Sequence, residues 1–248
     1  MNPLNVIIYG SKGRMGLTLL RCVEEDSSLA LAGTIDAGES LDEIAACDAV
    51  IDFSHAEATS RVLEKCVELG KILVIGTTGH NNELRDRIAA ASVTIPVIFS
   101  PNYSVGVNTL FWLTRKAAEI LGPDYDAEVI EIHHRLKKDA PSGTARRLVE
   151  VLDEVKGLDY DRDTRHGRVG MPGERTRGEV GVHAVRGGDV VGDHTVLLAA
   201  PGERIEMIHR ASSRETFARG ALRAALWARD TRKNQPGLYD MQDVLGLH

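Results

Sequence analysis

The chain has 248 residues, of which 43% are hydrophobic and 27% charged, and its formal net charge is −6. That length provides a substantial core in one or two domains, and the composition is typical of an ordinary globular protein. The acidic balance argues against a nucleic-acid-binding surface, although a local basic pocket is compatible with it.

Cysteine usage and the lack of targeting or membrane-spanning patterns predict the compartment. Cys22, Cys47 and Cys66 are odd in number and form no CxxC pair, so we expect reduced thiols and no structural zinc. The spacing of His183, His194 and His209 matches no compact metal motif, and no metal site is predicted. The sequence shows no secretory signal pattern and no apolar run long enough to span a bilayer. These features predict a cytoplasmic protein that does not contact a membrane.

A nucleotide-binding motif opens the chain. Val6–Tyr9 predicts a buried strand, and Gly10, Gly13 and Gly16 follow it before a helix predicted over Leu17–Glu25. A strand, a glycine turn and a helix in this order place free N–H groups where a pyrophosphate binds. The GxxGxxG spacing differs from the commoner GxGxxG, and many glycine turns of this kind bind nothing, so the motif needs support from the rest of the chain.

An acidic residue follows at the end of the next predicted strand. Leu29–Ile35 ends at Asp36, at about the spacing expected for a carboxylate that accepts from adenosine ribose hydroxyls. The alternative is that Asp36 caps the following turn. A carboxylate there repels a ribose 2′-phosphate, which favours NADH. Lys12 and Arg14 are both able to approach a phosphate, so use of both NADH and NADPH stays open.

The next segments continue the alternation of strands and helices. Strands are predicted at Asp48–Phe53, Lys71–Ile75 and Pro96–Ser100, with helices between them. This order predicts an α/β fold with a doubly wound parallel sheet, in which ligands bind at the carboxyl ends of the strands. Small and polar residues stand at two of these ends, namely Gly76, Thr77, Thr78 and Gly79, and Ser100, Pro101, Asn102 and Tyr103.

The segment Glu128–Ala145 has the highest concentration of residues able to bind or protonate a ligand. Its sequence is EVIEIHHRLKKDAPSGTA. A β-prone run places His133 and His134 at the end of a predicted strand. Lys137 follows within a cationic segment. Two histidines and a lysine so close together supply positive charge and transferable protons.

A helix is predicted immediately afterwards, with Pro141 in its first turn and Ser142 as its cap. The N–H groups of Ser142, Gly143 and Thr144 would then point out of the helix start, which favours an anion. Gly143 has no side chain to block a close approach. Together these residues describe a pocket for a small carboxylate that is protonated during a reaction. The alternative is a strand, a charged turn and a capped helix that only pack.

The second half of the chain differs in composition and in the order of its predicted elements. Lys156–Gly181 is rich in arginine, glycine and aspartate, and we predict a long mobile loop there. Consecutive strands then indicate a smaller α+β domain with a mixed or antiparallel sheet, and these strands are predicted at Gly181–Val185, Val190–Val191, His194–Leu198 and Arg204–His209. Ser213–Arg229 is predicted to be a final amphipathic helix.

The segment HHRLKKDAPSGTA resembles the signature of the 4-hydroxy-tetrahydrodipicolinate reductase (dihydrodipicolinate reductase) family, nicotinamide-dependent enzymes of lysine and diaminopimelate synthesis. GTTG, GEVGVHAVRGGDVVGDHTVLL and IHRASSRETFARGAL are similar to the same family, so the resemblance covers essentially the whole chain. It implies a Rossmann-like dinucleotide-binding domain made of residues 1–103 and 214–248. Residues 104–213 would form the domain for substrate binding and for assembly of a homotetramer.

The resemblance also implies roles for individual residues. NADH or NADPH would deliver hydride to a cyclic imine dicarboxylate derived from 4-hydroxy-tetrahydrodipicolinate. His133 would be the acid/base residue and Lys137 the proton donor, while His134, Gly143 and Thr144 would hold substrate carboxylates. Tyr103 replaces a phenylalanine common in the family, with a modest expected effect on the lining of the nicotinamide end. Ala37 stands where some members of the family carry an arginine, which also favours NADH. The expected cofactor residues are Gly10, Ser11, Lys12, Gly13, Arg14, Met15, Asp36, Gly76, Thr77, Thr78, Ser100, Pro101, Asn102 and Tyr103.

Two rival functions stay open at this point. One is another NAD(P)-dependent dehydrogenase of small carboxylates with a similar nucleotide half. The other is a regulator that senses NADH without turnover. A regulator of that kind should carry a module for binding DNA or a partner protein, and the sequence shows none. It would also have no use for the cluster formed by His133 and Lys137.

Overall fold

The computed structural model describes residues 2–232 and 235–247, so the predicted domain ends at Met1 and His248 lie outside the described residues. The chain divides into two compact units. The first unit contains the described residues up to Val105 together with those from Arg214 onward. The second unit runs from Gly106 to Ser213.

The regular elements alternate through the first unit and cluster by type in the second. The strands are β1 Leu4–Tyr9, β2 Leu29–Ile35, β3 Ala49–Asp52, β4 Ile72–Ile75, β5 Pro96–Phe99, β6 Asp126–His133, β7 Thr164–His166, β8 Val180–Arg186, β9 Gly192–Ala200, β10 Glu203–Ala211 and β11 Gly237–Tyr239. The helices are α1 Arg14–Glu24, α2 Ala56–Leu69, α3 Asn82–Ala91, α4 Val105–Leu121, α5 Gly143–Lys156, α6 Tyr160–Asp163, α7 Glu215–Arg232 and α8 Met241–Leu245.

The first unit is built on a parallel sheet with the strand order β11-β5-β4-β3-β1-β2. Side chains alternate between its two faces. Val6 and Ile8 join a core that includes Ala221 of α7, and Ile7 and Val50 join the core on the opposite side. Because both faces are covered, these strands read as continuous apolar runs. The predicted doubly wound parallel sheet is confirmed.

The second unit contains a sheet with the order β10-β9-β6-β8-β7. β6 pairs in parallel with β8 and antiparallel with β9, so the predicted mixed sheet is also confirmed. One face packs against helix α5, where Val129 and Val196 meet Leu148 and Val149 in one apolar core. On β6 the face with Ala127 and Val129 is buried, and the opposite face is partly exposed. This alternation places the side chains that β6 contributes to the site.

The prediction of a long mobile loop over Lys156–Gly181 is wrong in part. The segment contains α6 and β7. Arg168 donates to Glu128 and Glu179, each at 2.8 Å, and Arg175 Nε lies 3.0 Å from a Glu128 carboxylate oxygen. These two arginines therefore pair with buried or half-buried carboxylates instead of marking a solvated chain.

Smaller differences concern where elements begin and end. Helix α1 begins at Arg14 instead of Leu17, because the third glycine of the turn is part of the helix and packs against the turn itself. Val190–Val191 is not a strand and lies in the connection between β8 and β9. The C-terminal segment adds an edge strand, β11, and a short helix, α8, that the sequence pattern did not predict. Among the described helices, none combines the length and apolarity needed to cross a membrane.

Candidate active site

The glycine turn after β1 forms a tight backbone cradle. Gly10 has φ +88°, and a Cβ atom there would lie 2.5 Å from the carbonyl oxygen of Phe53. A Cβ atom on Gly16 would lie 2.3 Å from the Gly10 carbonyl oxygen, so both positions require glycine. Gly13 is the N-cap of α1, and no side chain caps this helix. The first N–H groups of α1 therefore lack a capping side chain, which fits a pyrophosphate.

Asp36 bonds to this turn from the end of β2. Its carboxylate accepts from Ser11 Oγ at 2.7 Å and from the Lys12 N–H at 3.2 Å. Partial burial alone would raise the pKa of Asp36, but these hydrogen bonds and the Lys12 ammonium lower it overall. The turn that follows Asp36 is closed by another group, since Glu39 accepts the Asp36 N–H at 2.7 Å. The Asp36 carboxylate therefore stabilises the glycine turn after β1. It does not cap the turn that follows Asp36, which was the alternative.

The loop after β4 is fixed by a buried carboxylate that sequence reasoning did not select. Asp52 is fully buried and accepts from Thr77 Oγ1 at 2.9 Å and from Thr59 Oγ1 at 2.7 Å. A Cβ atom on Gly76 would overlap the Phe53 ring. The Thr77 side chain is turned inward, so its hydroxyl organises the loop, while the neighbouring Thr78 is exposed.

Tyr103 belongs to the core of the first unit. Only 1% of it is exposed, its ring lies 5.9 Å from that of Phe53, and its hydroxyl lies 2.9 and 2.8 Å from the carbonyl oxygens of Ile75 and Ile98. The Tyr103 side chain therefore packs inside the first unit, and its expected place at the nicotinamide end stays a prediction that its backbone would have to fulfil. The hydroxyl that distinguishes it from phenylalanine is satisfied between the ends of β4 and β5.

The remaining candidates near β5 form a short structured turn. Ser100 Oγ donates to the Asn102 carbonyl oxygen at 2.9 Å, and Asn102 Oδ1 accepts the Ser104 N–H at 2.9 Å. Pro101 is exposed at its outer edge. Of the candidates in helix α1, Arg14 is exposed and Met15 is half-buried, so the group follows the carboxyl ends of β1, β2, β4 and β5. Ligands bind at such ends in open α/β sheets.

The second group of candidates lies in the second unit, at the end of β6 and the start of α5. His133 is 8% exposed, and its Nδ1 contacts a carboxylate oxygen of Glu131. The two residues share a face of β6 because they are two positions apart. A Cβ atom on Gly192 would lie 3.0 Å from His133 Nε2. The glycine therefore leaves room for the imidazole.

Glu131 is the centre of this arrangement. Its side chain is fully buried and accepts from both terminal nitrogens of Arg186, at 2.8 and 2.7 Å, and from the Ser142 N–H at 3.1 Å. Burial alone would raise the pKa of Glu131, but the hydrogen bonds from His133 and Arg186 outweigh it and lower the pKa to about 2. The Glu131 carboxylate is therefore ionised and can only accept. Its contact with His133 is a hydrogen bond in which the Nδ1–H group of His133 is the donor.

Ser142 caps α5 and contacts a second buried histidine. Its Oγ accepts the Ala145 N–H at 3.1 Å and lies 3.2 Å from His194 Nε2. Burial, helped by His133, lowers the pKa of His194 to about 3, so this ring is neutral when it shares a hydrogen bond with the serine hydroxyl. The rings of His133 and His194 meet edge to face, 5.2 Å between centroids. No cluster of three or more histidine, cysteine, aspartate or glutamate residues within 2–232 and 235–247 is arranged to hold a metal ion.

The helix start differs from the prediction in two respects. Pro141 precedes the cap instead of occupying the first turn, because the Ser142 side chain bonds to Ala145 only from the N-cap position. The Ser142 N–H also faces inward, to Glu131, and is not offered to a ligand. The predicted anion site is thereby reduced to the N–H groups of Gly143 and Thr144. A Cβ atom on Gly143 would have no other atom within 4 Å, so the space beside this backbone is open.

Lys137 lies in the turn between β6 and α5. Its ammonium is 2.9 Å from an Asp139 carboxylate oxygen, and its N–H donates to the His134 carbonyl oxygen at 3.1 Å. Arg186 donates to the Asp139 carbonyl oxygen at 2.7 Å. The hydrogen bonds of Glu131 therefore link both predicted catalytic side chains, directly for His133 and through Arg186 for the turn that carries Lys137.

Sequence reasoning missed the residues that support the site. Glu131 left a signal, since it precedes His133 by two positions in a predicted strand and must share its face. Arg186 left none, because only the parallel register of β6 and β8 places it opposite His133. Gly192 likewise depends on the antiparallel return of β9. The candidates of the first unit and those of the second each form a coherent group within their own unit.

Two family models match the chain. One describes the N-terminus of dihydrodipicolinate reductase and matches residues 4–103, and the other describes its C-terminus and matches residues 106–245. A relative from Akkermansia muciniphila named 4-hydroxy-tetrahydrodipicolinate reductase is 51% identical over 245 residues, which span 98% of this chain and 98% of the relative.

Solved structures agree in fold. The dipicolinate-bound dihydrodipicolinate reductase from Paenisporosarcina sp. TG-14 aligns with a TM-score of 0.78 at 20% identity, over 97% of this chain and 99% of that one. GenD2 from gentamicin A biosynthesis, in complex with NAD, aligns with a TM-score of 0.63 at 12% identity, over 100% of this chain and 91% of that one. These likenesses show the fold, and the family models with the 51% identical relative show the lineage: the chain belongs to the dihydrodipicolinate reductase family.

Proposed function

We propose that this chain reduces the cyclic imine dicarboxylate derived from 4-hydroxy-tetrahydrodipicolinate to tetrahydrodipicolinate, with NADH or NADPH as the reductant, in lysine and diaminopimelate synthesis. The observation that carries the proposal is the linked cluster at the end of β6. A histidine, a lysine and a helix start with an open glycine are held together there through Glu131 and Arg186.

Substrate binding is assigned to the start of α5. The helix has 14 residues, and its N-terminus favours a carboxylate through its N–H groups and its dipole. Gly143 and Thr144 would bind one carboxylate, with the open space at Gly143 allowing the ligand to approach the backbone. His134 lies at the end of β6 and is half-buried, and we assign it to the same dicarboxylate.

Proton supply is assigned to the neighbouring side chains. Reduction of a conjugated C=N system leaves negative charge that a proton must neutralise. His133 is the acid/base residue, since Glu131 fixes its Nδ1 and leaves Nε2 as the nitrogen that exchanges protons. Lys137 is the proton donor. The Asp139 carboxylate holds the Lys137 ammonium in place until a dianionic substrate competes for that ammonium.

The first unit supplies the residues for the nicotinamide cofactor, which provides the hydride when bound. The cradle of Gly10 and Gly16 and the uncapped start of α1 fit a pyrophosphate. Asp36 fits the ribose hydroxyls, since its carboxylate is ionised and bonded to the turn. The other assigned contacts come from the α1 turn and the loops after β4 and β5, namely Ser11, Lys12, Gly13, Arg14, Met15, Gly76, Thr77, Thr78, Ser100, Pro101, Asn102 and the backbone of Tyr103.

NADH is the proposed preferred cofactor. Lys12 is a cation beside Asp36 that is able to bind a ribose 2′-phosphate, but its ammonium lies 2.9 Å from Glu39 and 3.5 Å from Asp36. Two carboxylates thus compete for this single cation and repel a 2′-phosphate. The side chain is 76% exposed, so solvent screens the effect and some NADPH use is expected.

Assembly and location complete the proposal. The partly exposed face of the second unit's sheet carries Ile130, Val185 and Ile208, of which the last two are 46% and 49% exposed. We assign this face to the contacts of a homotetramer, which mass determination in solution would test. The three buried free cysteines are consistent with a reducing, cytoplasmic location.

Steady-state turnover tests the function directly. Freshly generated substrate is offered with NADH and with NADPH in turn, and we expect cofactor oxidation with both and a higher kcat/KM for NADH. Turnover only with other amino-acid or small-carboxylate substrates would replace the proposal by a different dehydrogenase. Binding of NADH with no turnover of any substrate would identify a sensor and overturn the enzymatic assignment.

A further inference from the structure

Glu131 has more partners than a structural ion pair requires. It is 0% exposed, and it receives hydrogen bonds from an imidazole, a guanidinium and a backbone N–H of the next helix. A buried carboxylate with one partner missing would destabilise the fold, so a fully satisfied one is compatible with a purely structural role. The identity of its partners argues for more, because each belongs to the cluster that the proposed function uses.

Building on the proposed function, we propose that Glu131 is the positioning residue of the acid/base centre. It holds His133 in the tautomer that carries a proton on Nδ1, so that Nε2 is the nitrogen that exchanges protons with the substrate. Through the Ser142 N–H it also fixes the start of α5 relative to His133. The carboxylate-binding turn and the acid/base residue are thereby kept at one fixed separation.

Three observations support this role. The Nδ1 contact comes from the same strand face, so the imidazole and the carboxylate are aligned by the backbone of β6. On the opposite side of the ring, Gly192 leaves room at Nε2. Arg186 holds both carboxylate oxygens, which keeps Glu131 an acceptor and prevents it from rotating away from His133.

The same arginine extends the arrangement to Lys137. Its Nη2 donates to the Asp139 carbonyl oxygen at 2.7 Å, and the Asp139 carboxylate pairs with the Lys137 ammonium at 2.9 Å. A change at Glu131 is therefore expected to disturb the histidine first and the lysine second. Preorganisation of this kind acts on the rate of the chemical step more than on binding.

Glu128 provides a matched control. It lies on the same strand, on the opposite face, and it also has an arginine pair and a histidine partner, through Arg168 at 2.8 Å and His183 at 2.8 Å. Its pKa is lowered to about 2, with burial opposed by the hydrogen bonds from Arg168 and His183. Glu128→Gln therefore removes a half-buried carboxylate with the same kinds of partner, without touching His133.

The test combines kinetics with imidazole ¹⁵N NMR on the full chain. In the wild type, His133 should show the Nδ1–H tautomer. Glu131→Gln places an amide next to Nδ1 that is able to donate, so the Nε2–H tautomer should become populated. We expect kcat to fall by about 100-fold with KM changed by less than about threefold, whereas Glu128→Gln leaves the His133 spectrum as in the wild type.

The outcomes separate this inference from the proposed function. Observation of the Nε2–H tautomer of His133 in the wild type overturns the positioning role of Glu131. This measurement does not depend on the folding of any variant. An unchanged tautomer or an unchanged kcat in a folded Glu131→Gln protein also overturns it. If the wild type fails to reduce the dicarboxylate, the proposed function fails, while a tautomer shift confined to Glu131→Gln still supports the positioning role through a signal that involves no substrate.

Discussion

The Lys137 ammonium lies 2.9 Å from the Asp139 carboxylate, in the turn that joins β6 to α5. The lysine side chain is 20% exposed and the aspartate side chain 60%. Partial burial lets the pair hold the ammonium in one position, whereas the exposed partner is easily displaced. A dianionic substrate that replaces Asp139 would find the cation already in place, which links binding to proton supply.

Removing Lys137 should therefore damage both steps. For Lys137→Ala we expect kcat to fall by roughly 100-fold to 1,000-fold, because a positioned proton donor contributes about that much, and KM to rise as well. Steady-state kinetics with the dicarboxylate measures both. Lys138→Ala is the control, since it removes an exposed lysine one position away. Equal turnover of wild type and Lys137→Ala would remove Lys137 from the mechanism.

Local patterns were sufficient for the parts of the molecule whose causes are local. The parallel sheet follows from apolar runs such as Ile72–Ile75, which are buried on both faces, and the Ser142 cap follows from its place before a helical pattern. In the same way, the β-prone run before the two histidines predicted a strand that ends there, and β6 ends at His133. Such features need no knowledge of distant residues.

The rest depends on contacts between segments that are far apart in sequence. Arg168 reaches Glu128 from a stretch that reads as a solvated loop, because composition does not reveal its partner. Arg186 meets Glu131 only through strand register. Tyr103 belongs to a predicted ligand loop, and the sequence does not reveal that its hydroxyl has two carbonyl partners inside the sheet.

Gly192 makes a steric prediction about His133. An alanine Cβ would lie 3.0 Å from His133 Nε2 and 3.4 Å from its Cδ2, close enough to force the ring to move. For Gly192→Ala we expect kcat to fall by roughly 10-fold to 100-fold, because small misplacements of a catalytic group are costly. The thermal midpoint should change little, since alanine suits a strand at least as well as glycine.

Gly178→Ala is the matched control for this substitution, because a Cβ there would meet no atom within 4 Å. Kinetics and thermal unfolding of the two variants should be measured side by side. If Gly192→Ala retained full kcat, the space at Nε2 would have no bearing on the reaction. If it lost activity together with a large part of its stability, the effect would be attributed to the fold instead of to the imidazole.

Glu39 makes a prediction about cofactor choice. Glu39→Gln removes the closer of the two carboxylates that pair with Lys12, and it also removes a negative charge near the expected 2′-phosphate. The ratio of kcat/KM for NADPH to that for NADH should rise by roughly threefold to tenfold, a modest change because the groups are solvent-exposed. Glu24→Gln removes the same charge at the far end of α1 and should leave the ratio unchanged. A ratio that stays constant in Glu39→Gln would mean that Lys12 does not bind the phosphate.

Asp153 makes a prediction about stability and pH. It is 4% exposed, its two carboxylate oxygens have no hydrogen-bond partner among the described residues, and burial together with Asp163 and Asp159 raises its pKa to about 6 from the usual 3.8. Below about pH 4 the carboxyl is protonated in both the folded and unfolded states, so it costs nothing. Between about pH 4 and pH 6 only the unfolded chain releases the proton, and the free energy of unfolding falls as pH rises.

The loss is complete above about pH 6 and amounts to at most about 3 kcal/mol, since one pKa unit corresponds to about 1.4 kcal/mol. Asp153→Asn removes the titration, so its thermal midpoint relative to the wild type should be higher at pH 7.5 than at pH 4.5, by roughly 5 °C. Comparing the two pH values cancels any constant cost of burying the amide. Asp161→Asn, at an exposed position eight residues beyond Asp153, should show no such dependence. A midpoint difference for Asp153→Asn that is the same at both pH values would mean that Asp153 ionises in the folded chain as it does in the unfolded one.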